Sequence, residues 1–295
     1  MTRLTGIEVA PSLLDGLARA LGIEVLPLEW GRYPDGESRF RVDAEISGER
    51  ILLLANLHQP DSRTLRVLLL ADTLRDLGAA EIILVAPYLA YMRQDKRFNP
   101  GEGITSRYFA AILSRHVDRL VTVDPHLHRY ERLDEIYSIP DKVLHAAPVL
   151  ADWVVEHVKQ PLLVGPDAES EQWVSQVAER AGAPFVVGEK IRRGDRSVQV
   201  QLPAMGAWQD CQPVLVDDII SSGRTMAEAG RALRAAGLLS PICLGVHAVF
   251  GEDDYRALAA SVARIVTTDA IPHETNGPSI AALLADGLRE WCREA

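Results

Sequence analysis

A run of carboxylate, hydroxyl and glycine residues, PVLVDDIISSGRTM over residues 213–226, has the composition of a phosphate site. A buried-strand pattern ends at Asp217 and Asp218, and a helical pattern begins at Met226. The residues between them are Ser221, Ser222, Gly223, Arg224 and Thr225. Hydroxyls, free N–H groups and the positive end of a helix dipole bind a phosphate monoester, and glycine lets the backbone close around it.

The two carboxylates before this turn suit a sugar. Ionised carboxylates only accept hydrogen bonds, so Asp217 and Asp218 are suited to vicinal ribose hydroxyls. The stretch therefore predicts a ribose 5-phosphate site. Paired aspartates and Ser-Ser-Gly are also common where a helix simply begins, so the alternative of an ordinary helix start remains open.

A second polar cluster follows the apolar run at residues 82–92. The first residues of the cluster are Arg93, Gln94 and Asp95, and Lys96 and Arg97 follow. Basic residues beyond the carboxyl end of a strand can bind a polyphosphate, because arginine offers a planar fork of donors and lysine a concentrated charge. We expect Thr105 or Ser106 to cap the next helix. A solvated basic turn is the alternative interpretation.

Strand-length apolar runs alternate with helical patterns along the whole chain. Predicted strands cover residues 51–55, 82–87, 120–123, 162–165, 184–187, 214–216, 241–246 and 265–267, and predicted helices cover 63–77, 106–115 and 226–236. This alternation is typical of an α/β fold with parallel sheets. A weak internal duplication aligns Ala55 and Asn56 with the two carboxylates, so only the second copy keeps the sugar-binding pair. We expect two domains, residues 1–143 and 144–295.

Composition narrows the possible partners. A formal net charge of -10 disfavours nucleic acid or an anionic membrane surface. The longest apolar run is too short to span a bilayer, and the first residues show a helical pattern with acidic residues instead of a signal sequence. The 3 cysteines are far apart, which favours neither a disulfide framework nor a zinc site. We therefore expect a cytoplasmic protein without a membrane partner.

The ordered motifs resemble those of ribose-phosphate diphosphokinases, the phosphoribosyl pyrophosphate (PRPP) synthetases. The loop at residues 213–226 is similar to the PRPP loop that these enzymes share with type I phosphoribosyltransferases. PYLAYMRQD, which begins at Pro87, resembles their PY-x-x-Y-x-RQD element. YPDGE from Tyr33, the D-x-H element that ends at His126 and the Gly-Pro-Asp element that ends at Asp167 match in order. The resemblance implies two tandem phosphoribosyltransferase-like domains, each a mainly parallel sheet flanked by helices.

The resemblance also implies a role for each matching residue. It implies ATP binding by Tyr33, Asp35, Glu37, Arg93, Gln94, Asp95 and His126. It implies ribose 5-phosphate binding by Asp167, Asp217, Asp218, Ser221, Ser222, Gly223, Arg224 and Thr225, and organisation of Mg²⁺ by His126 and Asp167. Lys190 and Arg192 resemble a catalytic Lys-x-Arg element at the base of a mobile loop, although a solvated basic turn is again the alternative.

The implied reaction transfers pyrophosphate from Mg²⁺–ATP to ribose 5-phosphate and yields PRPP and AMP. A homo-oligomer is implied as well, because the nucleotide site of the family borrows residues from a neighbouring subunit. This chain departs from the family pattern after Asp167, where Glu169 and Glu171 enter a stretch of small residues and would alter the ribose pocket. Two alternatives therefore remain open: a phosphoribosyltransferase that uses PRPP, and a non-catalytic paralogue that regulates a synthetase.

Overall fold

The chain forms two compact units in the computed structural model. The structure describes residues 1–127, 129–193 and 197–294, and the side chains of residues 190–199 are outside this description. One unit comprises Met1–Leu144 and Ala281–Ala295, and the other comprises His145–Ile280. The predicted second domain included residues 281–295, but the last helix packs against the first helix of the chain and so belongs to the first unit.

The first unit contains a parallel sheet of five strands. Its elements are β1 (Thr2–Ile7), α1 (Pro11–Leu21), β2 (Leu28–Arg32), β3 (Ser38–Val42), β4 (Arg50–Ala55), α2 (Pro60–Asp76), β5 (Glu81–Ala86), α3 (Thr105–His116), β6 (Arg119–Val123) and β7 (Asp141–Leu144). The sheet order is β1-β4-β5-β6-β7, and β2 and β3 form a separate antiparallel hairpin. Residues 51–55 of β4 are fully buried, as expected for a central parallel strand covered on both faces.

The second unit has a comparable sheet. Its elements are α4 (Ala147–His157), β8 (Pro161–Gly165), α5 (Glu171–Ala181), β9 (Phe185–Val187), β10 (Glu189–Arg193), β11 (Ser197–Gln201), β12 (Gln212–Ile220), α6 (Arg224–Ala235), β13 (Ile242–Ala248), α7 (Glu252–Ala259) and β14 (Arg264–Thr267), and α8 (Ala281–Arg293) follows in the first unit. The parallel sheet has the order β14-β13-β12-β8-β9. Four strands of the first sheet correspond in order to four strands of the second: β1-β4-β5-β6 to β8-β12-β13-β14. This correspondence is what the weak duplication predicts.

The structure confirms the α/β fold class and changes two local expectations. The helical pattern of the first 22 residues is confirmed for α1, whereas residues 2–7 form a strand because they pair with β4. Strand β12 continues to Ile220, beyond its predicted end, because its ladder with β13 extends that far. Among the described residues, no helix has the length and apolarity needed to cross a membrane.

Candidate functional site

The second unit brings three of the predicted acidic residues to neighbouring strands. Asp217 and Asp218 lie in β12, and Asp167 follows β8, the strand that pairs with β12. The carboxylate of Asp217 accepts the N–H of Asp218 at 3.1 Å, and that of Asp218 accepts the N–H of Ile219 at 2.8 Å. The Asp167 carboxylate accepts the N–H of Glu169 at 3.1 Å. Backbone donors thus orient all three carboxylates.

These carboxylates influence one another electrostatically. Burial raises the pKa of Asp217 well above its ordinary value, and the neighbouring charges of Asp218 and Asp167 raise that pKa further. Repulsion between carboxylates favours groups that donate hydrogen bonds or carry positive charge. Hydrogen-bond donors such as sugar hydroxyls are therefore ligands that this acidic cluster of Asp167, Asp217 and Asp218 suits.

A tight turn connects β12 to α6. Gly223 is the residue before the helix and has a φ of 62°, in the left-handed region that favours glycine. A Cβ at this position would lie 3.0 Å from Cδ2 of Leu258 and 3.2 Å from its Cβ. Because glycine has no side chain, it cannot cap the helix, and the first N–H groups of α6 remain suited to an anion.

The hydroxyl residues of this turn are placed as the sequence predicts. Ser221, Ser222 and Thr225 are partly exposed around the start of α6. The side chain of Arg224 is exposed, as expected for a residue that leaves the N–H groups uncovered. The turn and the acidic cluster belong to the same strand and its immediate neighbour, so the second unit combines features suited to a phosphate with features suited to a sugar.

The residues after Asp167, where this chain departs from the pattern that it resembles, form a short turn. Glu169 and Glu171 are exposed, whereas Ser170 is only 2% exposed. The hydroxyl of Ser170 donates to the main-chain oxygen of Asp167 at 2.6 Å and closes a short 3₁₀ turn over Ala168–Ser170. Serine at this position therefore anchors Asp167, a role that sequence reasoning missed because it depends on the turn geometry.

The nucleotide residues predicted in the first unit follow β5. Arg93 is exposed, and the amide oxygen of Gln94 accepts a hydrogen bond from the hydroxyl of Thr105 at 3.0 Å. The expected capping of α3 is therefore wrong: Thr105 binds Gln94, and the hydroxyl of Ser106 lies 3.3 Å from the hydroxyl of Tyr130. Thr105 attaches the helix directly to the loop that carries the polar cluster, whereas Ser106 is linked to it through Tyr130, whose hydroxyl donates to the main-chain oxygen of Asp95.

Asp95 is anchored more deeply than its neighbours. It is 9% exposed, its carboxylate lies 3.4 Å from Nε of Arg129, and its main-chain oxygen accepts the hydroxyl of Tyr130 at 3.3 Å. Glu102, which sequence reasoning did not select, accepts the N–H groups of Phe98 and Asn99 at 3.0 Å. These contacts make Asp95 and Glu102 organisers of the loop.

The D-x-H element follows β6, the strand next to β5. Asp124 is 6% exposed and has a φ of 40°, and its N–H donates to the oxygen of Leu144 at 2.9 Å. His126 is partly exposed two residues later. Because β5 and β6 are parallel neighbours, the loops with Arg93 and His126 leave the same edge of the sheet.

The YPDGE motif forms the tip of the β2–β3 hairpin. Asp35 accepts the N–H of Glu37 at 3.1 Å, and the exposed ring of Tyr33 precedes this turn. Asp35 and Glu37 line a cavity of about 650 Å³ whose opposite wall includes Arg66 and Leu69 of α2. Within one subunit the tip therefore borders α2.

Comparison with known proteins places this geometry in a family. Residues 2–116 match the N-terminal domain of ribose phosphate pyrophosphokinase, and residues 133–278 match the phosphoribosyl transferase domain. The ribose-phosphate pyrophosphokinase of Methanopyrus kandleri is 33% identical over 92% of this chain and 93% of its own length. The chain belongs to the ribose-phosphate pyrophosphokinase family.

Further members of the pyrophosphokinase family agree over nearly the whole chain. The enzyme of Methanosarcina acetivorans is 32% identical over 97% of this chain and 99% of its own length. The crystal structure of phosphoribosylpyrophosphate synthetase from Mycobacterium smegmatis has a TM-score of 0.84 and 26% identity, and the match covers 100% of this chain and 99% of that one. Both units, including α8, therefore have counterparts in the family.

Two further predictions concern the basic pair and the metal. Lys190 and Arg192 lie in β10, but their side chains lie outside the described part of the structure. Among the described residues, no group of three or more His, Cys, Asp or Glu side chains is arranged to hold a metal ion. Magnesium in nucleotide enzymes commonly uses one or two carboxylates together with phosphates and waters, so the donor chemistry of Asp167 still fits it.

Proposed function

We propose that this chain transfers the pyrophosphoryl group of Mg²⁺–ATP to the anomeric hydroxyl of ribose 5-phosphate, giving PRPP and AMP. The proposal rests on one observation above all. An acidic cluster suited to sugar hydroxyls and a helix start suited to phosphate occur together, after β8, in β12 and at the start of α6, in a member of the pyrophosphokinase family. That combination matches a phosphorylated sugar better than a free sugar or free phosphate.

The second unit carries the proposed sugar phosphate site. The 5-phosphate binds the N–H groups and hydroxyls of residues 221–225, and Gly223 permits this close approach. Asp217 and Asp218 accept hydrogen bonds from the ribose hydroxyls. Asp167, which Ser170 anchors, contacts the ribose from the neighbouring strand.

The first unit carries the proposed nucleotide site. Arg93 is exposed and offers its guanidinium to the nucleotide, while Thr105 donates a hydrogen bond to the Gln94 amide oxygen and fixes that side chain beside it. Asp95 anchors this loop, and His126 contributes from the adjacent one. We assign Tyr33, Asp35 and Glu37 to the nucleotide site of a neighbouring subunit.

The chemistry is mainly positioning and charge stabilisation. The anomeric oxygen forms a bond to the β-phosphorus, the bond from that phosphorus to the oxygen shared with the α-phosphate breaks, AMP leaves with that oxygen, and the hydroxyl proton passes to solvent. Lys190 and Arg192 neutralise charge on the transferred group and on AMP. Asp167 in the second unit would help to hold bound Mg²⁺, which would add neutralisation of the phosphate oxygens. The role of His126 in organising Mg²⁺ stays a prediction from the family resemblance.

A homo-oligomer is part of the proposal. The first unit exposes apolar side chains on α2 and α3, with Leu65 58% exposed, Tyr108 53% and Ile112 41%. Such a cluster is suited to contact with another protein surface, and a second copy is the occupant that the proposed shared nucleotide site requires. We also propose a cytoplasmic location, on the strength of the family resemblance.

Kinetic measurements on two variants test the proposed division of labour. Arg93→Ala should raise the KM for ATP about tenfold or more, because a charged hydrogen bond is lost, and leave the KM for ribose 5-phosphate nearly unchanged. Asp218→Asn should do the opposite. If Arg93→Ala retained a normal KM for ATP, the nucleotide assignment would be wrong. If the folded wild type bound both substrates but formed no product, a regulatory role would replace the enzymatic one.

A further inference from the structure

Tyr91 has a backbone conformation that is rare for a large side chain. Its φ is 61°, in the left-handed region, where a bulky residue is strained. It lies between β5 and the exposed Arg93, two residues before that arginine. Strain of this kind persists only where surrounding contacts enforce it, and it concentrates at functional sites.

Two contacts hold Tyr91 in this conformation. Its hydroxyl donates a hydrogen bond to the carboxylate of Asp61 in the first turn of α2, and this bond raises the pKa of Tyr91, which keeps the hydroxyl a donor. Its ring lies 4.8 Å from the ring of Phe109 in α3, centroid to centroid. The Tyr91 turn is thus attached to both helices that flank it.

The same region leads directly to the nucleotide loop. Tyr91, Asp61 and Phe109 line a cavity of about 330 Å³, together with Thr105, and the hydroxyl of Thr105 binds the amide of Gln94. The loop is therefore fixed on one side through Gln94 and on the other through Tyr91. Arg93, between these two attachment points, receives its direction from both.

We propose that Tyr91 is a positioning residue for ATP: its contact with Asp61 maintains the strained turn that directs Arg93 towards the nucleotide. This inference rests on the proposed role of Arg93. Without the contact, the turn relaxes to an ordinary negative φ in part of the population, and the apparent affinity for ATP falls by the fraction that remains competent. Molecules that have bound ATP still react normally, so kcat is preserved.

The test compares four variants of the full-length protein. Tyr91→Phe removes the hydroxyl and keeps the ring, Asp61→Ala removes the acceptor, and the double variant removes both. Tyr137→Phe is the matched control, because it removes from the same unit a buried tyrosine hydroxyl that has no hydrogen-bond partner among the described residues. We expect Tyr91→Phe and Asp61→Ala each to raise the KM for ATP about fivefold or more, with little change in kcat or in the KM for ribose 5-phosphate.

The combination of variants separates a positioning role from a structural one. Tyr91→Phe and Asp61→Ala break the same contact, so the double variant should be no worse than either single variant. Tyr137→Phe should resemble the wild type. A Tyr91→Phe protein with lowered thermal stability but a normal KM for ATP would overturn the proposal. If Tyr91→Phe did not fold, the KM of Asp61→Ala would decide the question in the same way.

The Arg93→Ala variant distinguishes this inference from the proposed function. If Arg93→Ala raises the KM for ATP and neither Tyr91→Phe nor Asp61→Ala does, only the role of Tyr91 is wrong. If Arg93→Ala leaves the KM for ATP unchanged, the proposed nucleotide site is wrong and the role of Tyr91 fails with it.

Discussion

Gly223 is the residue of the phosphate turn with the least freedom to change. Its φ of 62° disfavours any side chain, and the contact distances to Leu258 leave no room for one. The sequence identified Gly223 because glycine between a buried strand and a helix is a recognisable signal. The sequence did not identify Ser170 or Tyr91, because their roles depend on a turn and on a dihedral angle that no spacing pattern records.

Gly223→Ala should impair the site and the fold together. We expect a loss of about 1–2 kcal/mol from the left-handed backbone alone, with a further cost from the Leu258 contact, and a clear rise in the KM for ribose 5-phosphate. Steady-state kinetics and thermal unfolding would measure the two effects. Gly206→Ala is the control, since nothing lies within 4 Å of the added carbon there. A Gly223→Ala enzyme with normal sugar phosphate kinetics would contradict the role of the turn.

The charged form of Asp217 should lower the stability of the fold although the proposed site uses this residue to bind ribose. Its pKa is raised in the folded state, so the folded protein holds a proton that the unfolded chain releases. Stability from this group is full at low pH and decreases as pH rises from the ordinary carboxyl range towards the raised pKa. Asp217→Asn should therefore raise the melting temperature more at pH 8 than at pH 5 in metal-free buffer, while binding of ribose 5-phosphate is lost. A larger gain at pH 5 would contradict the cause assigned to the raised pKa.

At the scale of elements, a helix or strand could be predicted where the pattern that determines it lies within the segment itself. Strand β12 and helix α6 were predictable because a fully apolar run and a helical period lie within the segment itself. Strand β1 was not, because its short mixed sequence becomes a strand only by pairing with β4. The unit to which α8 belongs could not be predicted either, because α8 packs against residues of the first unit that are far away in the sequence.

Trp291 is the largest of the buried side chains that attach α8 to the first unit. It is 6% exposed and lies 5.0 Å from the guanidinium of Arg119 and 4.5 Å from the ammonium of Lys142, measured to the ring centroid. Trp291→Ala should lower the free energy of unfolding by about 3–5 kcal/mol, because a large buried ring leaves a cavity. Urea unfolding would measure the change, with Leu239→Ala, at a residue 56% exposed, as the control. Similar small effects in both variants would show that α8 contributes little.

At the scale of the whole molecule, the family resemblance predicted the reaction, whereas composition did not. The length of the chain indicated about two domains, and its negative charge made nucleic acid an unsuitable partner. The ordered motifs selected the pyrophosphokinase family, and the comparisons confirmed it. The homo-oligomer stays a prediction. An exposed apolar patch indicates that another protein surface covers it, but it does not indicate how many copies assemble.

Leu65→Glu tests the proposed assembly. A charge placed in the exposed apolar cluster of α2 and α3 should reduce the mass measured by light scattering, because desolvating an unpaired carboxylate at an interface is costly. Leu239→Glu is the matched control, since Leu239 is 56% exposed and lies in the other unit. An unchanged mass for Leu65→Glu, or an equal loss for Leu239→Glu, would contradict an interface on this face.

The most direct test of the central claim is the product ratio. The protein is incubated with ribose 5-phosphate, ATP and Mg²⁺, and AMP and PRPP are measured together for the wild type, Lys190→Ala and the control Lys159→Ala, at an exposed lysine of the same unit. We expect equal amounts of AMP and PRPP from the wild type and from Lys159→Ala, and a loss of both products in Lys190→Ala. Formation of ADP instead of AMP, or undiminished PRPP from Lys190→Ala, would contradict the proposed transfer.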